Sequence, residues 1–225
     1  APGRSAVYEA WARRVVDEPA VATALAGIAE TRRQPPLVFA VLRVLGAPMG
    51  DLDAWASWVV AHADAIADEC GRRSVQTNEP LRCAALLPAL SLIEGPVALL
   101  EVGASAGLCL YPDRYSYRYR SGADTLALDP VDGVSPVVLH SALEGMPELR
   151  MPQVVWRAGI DLNPLDARRA DDRAWLTGLV WPGEEGRRER IEGALDIAAA
   201  DPPLLVAGDG ADALPELAAR APRDA

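Results

Sequence analysis

Three short apolar runs constrain this chain more than any other feature: VALLEVG, ending at Gly103; QVVWRAGID, around Val154 to Asp161; and PLLVAGDG, around Leu204 to Gly210. Each is short for a helix and halts at glycine, at an acid or at both. Runs of that kind suit buried parallel strands. Helical segments are expected between and after the last two, from Leu165 to Trp181, Glu184 to Ala200 and Leu214 to Ala221. Strands that alternate with helices and end in Gly plus an acid describe a doubly wound α/β sheet.

The chain before Pro96 reads differently. From Ser5 to about Gly95 apolar residues recur at three and four, with breaks at Pro19, Pro35-Pro36, Gly46 to Gly50 and Gly71, so residues 1–95 are expected to form an all-helical domain. Asp51 reads as the N-cap of one long helix through Trp55, Trp58, Val59, His62 and Ile66, with both tryptophans on its core face. Residues 96–225 then form the sheet domain, with an insertion at about 109–152. Within it, DRYSYRYRSGADTLALDP alternates in period two across Gly122, which predicts an antiparallel hairpin from about Asp113 to Asp129. Tyr115, Tyr117 and Tyr119 share one face of its first strand, and Arg114, Arg118 and Arg120 include the other.

Composition removes several chemistries. The net charge is -10 over 225 residues and no basic stripe stands apart from acidic neighbours, so a nucleic acid is not an expected partner. There is no lysine, which excludes every mechanism that needs a Schiff-base amine. Cys70, Cys83 and Cys109 show no C-x-x-C spacing and the only histidines are His62 and His140, so neither a disulfide framework nor a metal site is expected. No apolar run reaches membrane-spanning length and the start lacks a signal-peptide core, which predicts a cytoplasmic protein without a membrane partner.

The decisive stretch is ALLEVGASAGLCLY, Ala98 to Tyr111. A serine hydrolase would place its nucleophile at Ser105 and draw a histidine from later strands, but none follows His140. A dinucleotide fingerprint would need glycine where Ser105 and Leu108 stand, and a phosphate loop would need a lysine. What remains is an acid two residues before the first glycine, in Glu101-Val-Gly103-Ala-Ser105-Ala-Gly107. That string resembles the first motif of class I S-adenosylmethionine-dependent methyltransferases.

The resemblance implies a Rossmann-like, methyltransferase-type parallel sheet and S-adenosylmethionine as cofactor, held by Glu101, Gly103, Ser105 and Gly107. It implies that Asp161 takes the ribose hydroxyls and that Asp209, beside Gly210, lies near the adenine. Around these positions, Asn163 reads as a helix cap with Pro164 at the first helical position and Asp166 near the positive end of the helix dipole, and Asp212 reads as a further cap. Longer segments, VQTNEPLRCAALLPAL, EVGASAGLCLYPDRYSYRY and GIDLNPLDARRADDRAWLTGLVWP, are similar to those of a bacterial family catalogued as domain-of-unknown-function family 2332. A methyltransferase sheet usually has seven strands with the fourth beside the first. Three strands by Ala225 leave the first as an apolar edge, so the sheet is expected to be incomplete at its C-terminus.

The acceptor is expected to be a small molecule, and the transferring base is unknown. Candidates are Asp113 at the foot of the hairpin and Gln76, Asn78 and Glu79 in a polar knot where Thr77 or Asn78 also reads as a helix cap. RRER, at Arg187 to Arg190, reads as an exposed helix surface. Two alternatives stand beside methyl transfer: a hydrolase using Ser105, and an interaction module that keeps the sheet without a ligand.

Overall fold

The computed structural model describes residues 3–145 and 147–223. They divide into two compact units: the chain up to Gln76 with Ala174–Arg188, and Thr77–Arg173 with the chain from Glu189 on.

The first unit contains α1 (Ala6–Asp17), α2 (Pro19–Leu25), α3 (Pro35–Val44), α4 (Leu52–Ala61) and α5 (Ala63–Arg72). Trp11 and Trp55 are fully buried and stack at 5.2 Å, and Tyr8 and Phe39 complete the aromatic core. Arg43 donates to the carbonyls of Gly178 (3.0 Å), the last residue of a helix, and of Val180 just beyond it, which satisfies acceptors at that helix end. Asp51 caps α4 as expected, accepting from the amides of Asp53 and Ala54. The single long helix does not form, because the backbone at His62 leaves the helical region (φ -115°) and starts α5 there. Trp55 is core; Trp58 is only half-buried and stacks on His62 at 4.2 Å.

The second unit holds two small three-stranded sheets. In the parallel sheet, β5 (Gln153–Asp161) lies between β1 (Pro96–Val102) and β6 (Leu204–Ala207). The three apolar runs are therefore its strands. Ala158 and Ile160 pack with Leu217 of α9 (Gly210–Ala218), and Leu100, Trp156 and Val206 flank them. The second sheet has β2 (Ser116–Ser121) between β3 (Asp124–Leu128) and β4 (Val138–Ala142). The β2–β3 hairpin turns at Gly122 (φ +59°) as its alternation predicts, while β4 joins parallel to β2.

Tyr115, Tyr117 and Tyr119 are buried, and Tyr117 and Tyr119 stack at 6.0 Å. The phenols donate to backbone carbonyls: Tyr115 to Leu108 (2.6 Å), Tyr117 to Pro112, and Tyr119 to Ala84 (2.7 Å) in α6 (Arg82–Leu90).

The segment expected to be helical from Leu165 starts later, as α7 (Ala170–Gly178), and the one expected from Glu184 starts at Arg187, as α8 (Arg187–Ala200). Asn163 caps no helix; its amide donates to Asp161 in a side-chain turn. α9 begins earlier than expected and is capped by Asp209 rather than Asp212, which sits in its first turn. Among the described residues no helix is long and apolar enough to cross a membrane.

Candidate active site

The carboxyl ends of β1, β5 and β6 lie side by side, since Val102 pairs with Ile160 and Asp161 with Ala207. β1 stops because Gly103 takes φ +78°, which a Cβ would oppose. Its amide and that of Ala104 both donate to the Ile160 carbonyl, at 2.7 and 3.1 Å. Space above Gly103 is open: a Cβ there would meet nothing within 4 Å.

The loop is fixed from three directions. The Ser105 amide donates to Asp161 Oδ2 at 2.7 Å, and Ser105 O accepts from the Leu165 amide at 3.1 Å. Asn78, buried, accepts from the Leu108 amide at 3.2 Å and reaches Ala104 O at 3.5 Å. Behind it, a Cβ on Gly159 would lie 2.4 Å from that of Ala104. Ser105 pays for the tight path with φ +53°, a region that L-residues other than Asn and Asp rarely occupy. Gly107 (φ +74°) starts only the 3-10 turn Leu108–Leu110, so no long helix follows the loop.

Two buried polar atoms at this place have no hydrogen-bond partner among the described residues: Glu101 Oε2 and Ser105 Oγ. Burial pushes the Glu101 carboxyl from an ordinary 4.5 up to about 7; the charge of Arg82 and the neighbouring Cys109 thiol pull it down, and Asp161 adds to the rise. Cys109 also donates to Glu79 O, and Cys83 donates to Cys109 O. Both thiols are buried, and the hydrogen bond of Cys83 to Cys109, together with burial, raises the Cys83 thiol well above its usual range.

Glu101, Gly103, Ser105, Gly107 and Asp161 are thus brought together. Gly210 joins them at the same sheet edge, where a Cβ would lie 2.4 Å from Val102 Cγ1. Asp209 is exposed and turned to the Ala211 amide. Both Asp161 oxygens accept backbone amides, from Ser105 and Asn163, so this residue builds the loop as well as facing it.

The candidate bases are distributed differently. Asp113 is held by Arg157 at 2.7 Å, and burial raises its carboxyl despite that guanidinium. The pair lines a groove of about 640 Å³ at the opposite, amino-terminal edge of the sheet. Glu79 receives both ends of the Arg190 guanidinium, at 2.7 and 3.2 Å, so Arg190 is a half-buried partner and not the exposed surface expected of RRER. Asn78 braces the loop instead of capping α6, whose N-cap is Leu81. Gln76 falls in the first unit. His140 lies on β4, opposite Arg118, and among the described residues makes no hydrogen bond to Ser105.

Sequence reasoning missed Gly159. An isolated glycine inside a strand signals a close approach by another segment, and that signal was present.

A family model described as "Uncharacterized protein conserved in bacteria (DUF2332)" matches residues 1–225. No curated protein and no solved structure matches the chain.

Proposed function

The chain belongs to this bacterial family, and from that premise we propose that it binds S-adenosylmethionine at the end of β1 and transfers its methyl group to a small molecule. The observation that carries the reading is the pairing of two partnerless buried polar atoms, Glu101 Oε2 and Ser105 Oγ, with open space at Gly103. A buried carboxyl oxygen without a donor costs free energy unless a ligand supplies one. The strand order also supports it, since β5 between β1 and β6 is the arrangement of the first three strands of a Rossmann-like sheet, and ligands of such sheets bind beyond the carboxyl ends of the strands.

The residues fit the cofactor as follows. Glu101, once ionised, holds the ammonium of its amino-acid end, and Ser105 Oγ takes a neighbouring polar group. Gly103 leaves room for the chain to lie against the backbone. Asp161 keeps the Ser105 amide in place and has acceptor capacity left for a ribose hydroxyl, and Asp209 with Gly210 borders the adenine side. When bound, the cofactor supplies an electrophilic methyl on a sulfonium; the protein's part is alignment and exclusion of water.

Calorimetric titration of S-adenosylmethionine and S-adenosylhomocysteine into the protein tests this. Saturable binding is expected, weakened about ten- to a hundredfold by Glu101→Gln, the loss typical of one charge-assisted hydrogen bond. Asp161→Asn is the better second variant, because Asp161→Ala removes the bond that holds Ser105 and confounds fold with affinity. Absence of binding by the wild-type protein to either compound would overturn the proposal.

A further inference from the structure

The sheet formed by β3, β2 and β4 has one face packed on tyrosines and another left open. Register places Ala127, Arg118 and His140 in one cross-strand row of the open face and Thr125, Arg120 and Ala142 in the next. These rows line a trough of about 650 Å³. Directly opposite side chains stand about 5 Å apart and diagonal ones about 7–8 Å, so Arg120 lies beside Thr125 on one flank and diagonal to His140 on the other, within reach of its long side chain.

The charges there are unequally used. Arg118 is spent on Asp129, with contacts at 2.8 and 3.3 Å, and their charges offset. The side chain of Arg120 makes no hydrogen bond or ion pair with any described residue, nor does His140. In a chain with 32 acidic and 22 basic residues, carboxylates are plentiful and many arginines are held by one. Asp124, at the hairpin end, and Asp129 are the acids bordering this face, and neither is paired with Arg120. An open face of a sheet is commonly polar, but polarity alone requires neither a concave surface nor an unpaired guanidinium beside an imidazole and a hydroxyl.

We propose that this trough is a binding site for a phosphoryl group, gripped by the Arg120 guanidinium with His140 and Thr125 as further donors. A planar fork, a ring N–H and a hydroxyl approaching from three strands suit a tetrahedral oxyanion better than a flat carboxylate. The trough exceeds the size of phosphate itself, which points to a phosphorylated small molecule. The site shares no residue with the loop at the end of β1, so it stands or falls separately from cofactor binding.

The test is titration of the full chain with inorganic phosphate, glycerol 3-phosphate and acetate, read by calorimetry and by amide shifts of an isotope-labelled sample. Glycerol 3-phosphate is expected to bind saturably and to move the amides of Arg120, Thr125 and His140, with acetate much weaker. Inorganic phosphate binding equally well identifies the free ion as sufficient; binding of the ester alone identifies the phosphomonoester. Arg120→Ala should weaken binding about ten- to a hundredfold, as expected for loss of a charge-assisted bidentate contact. Arg120 is exposed, so the variant should keep its fold, and Arg120→Glu provides a second variant with stronger loss. Lack of binding by both phosphates, or affinity unchanged in both Arg120 variants, would sink the idea.

Discussion

Glu101→Gln is expected to stabilise the protein above neutral pH, by up to about 3 kcal/mol, and to change little below about pH 4. Proton binding is linked to folding here. The Glu101 carboxyl rises from an ordinary 4.5 to about 7 on folding, chiefly through burial. Between those values the folded chain binds more protons than the unfolded one, so stability falls as pH rises. The contribution is intact below the unfolded value and is lost as pH climbs through the folded one, at 1.36 kcal/mol per unit. Glutamine carries no charge to desolvate, so this contribution is absent from the variant's profile. Denaturant unfolding of both proteins at about pH 4 and pH 8 measures the difference. An equal gap at the two pH values would show that Glu101 is not the titrating group.

Such a gain has a functional reading. A site that stabilises the chain when its acid is removed retains that acid for something other than folding. Under the cofactor proposal the same substitution should weaken binding, so stability and affinity move in opposite directions. A purely structural carboxylate would lose stability instead.

The second large effect concerns Gly159→Ala. The new methyl would lie 2.4 Å from Ala104 Cβ and 2.9 Å from Leu205 Cδ2, in the middle of a paired strand. Neither the strand nor the loop can yield easily, since Ala104 is bonded to Ile160 O and reached by Asn78. Overpacking of this kind costs about 1–3 kcal/mol, and the upper end is expected. Gly71→Ala is the internal comparison. It sits at an exposed position of α5 where a Cβ meets nothing, and alanine should gain about 1 kcal/mol there. Thermal unfolding of the two variants should therefore move in opposite directions from wild type.

The strands were legible because short, largely apolar runs of four to nine residues that stop at glycine or an acid leave few other options, and the hairpin because alternation across Gly122 fixes both register and turn. Helix ends were less so. Asn78, Asn163 and Asp212 all carry side chains that bond nearby backbone amides in turns as readily as at caps, and sequence does not say which amide is free. The site was legible in its acids and glycines, each at a strand end. Its bracing was not: Glu79 and Arg190 meet across 111 positions, and Asn78 reaches Leu108 across 30. Such pairings depend on the finished fold, and no local periodicity encodes them.

The buried tyrosines have an optical consequence. All five in the chain, Tyr8, Tyr111, Tyr115, Tyr117 and Tyr119, have phenols pushed above their ordinary value of about 10 mainly by burial, to about 12 for Tyr119 and further for Tyr111, Tyr115 and Tyr117. Unfolded tyrosines ionise first as the solution turns alkaline, which draws the chain toward unfolding. Tyrosinate absorbance should therefore emerge in one cooperative step with the loss of helix, giving an alkaline melt that needs no added dye.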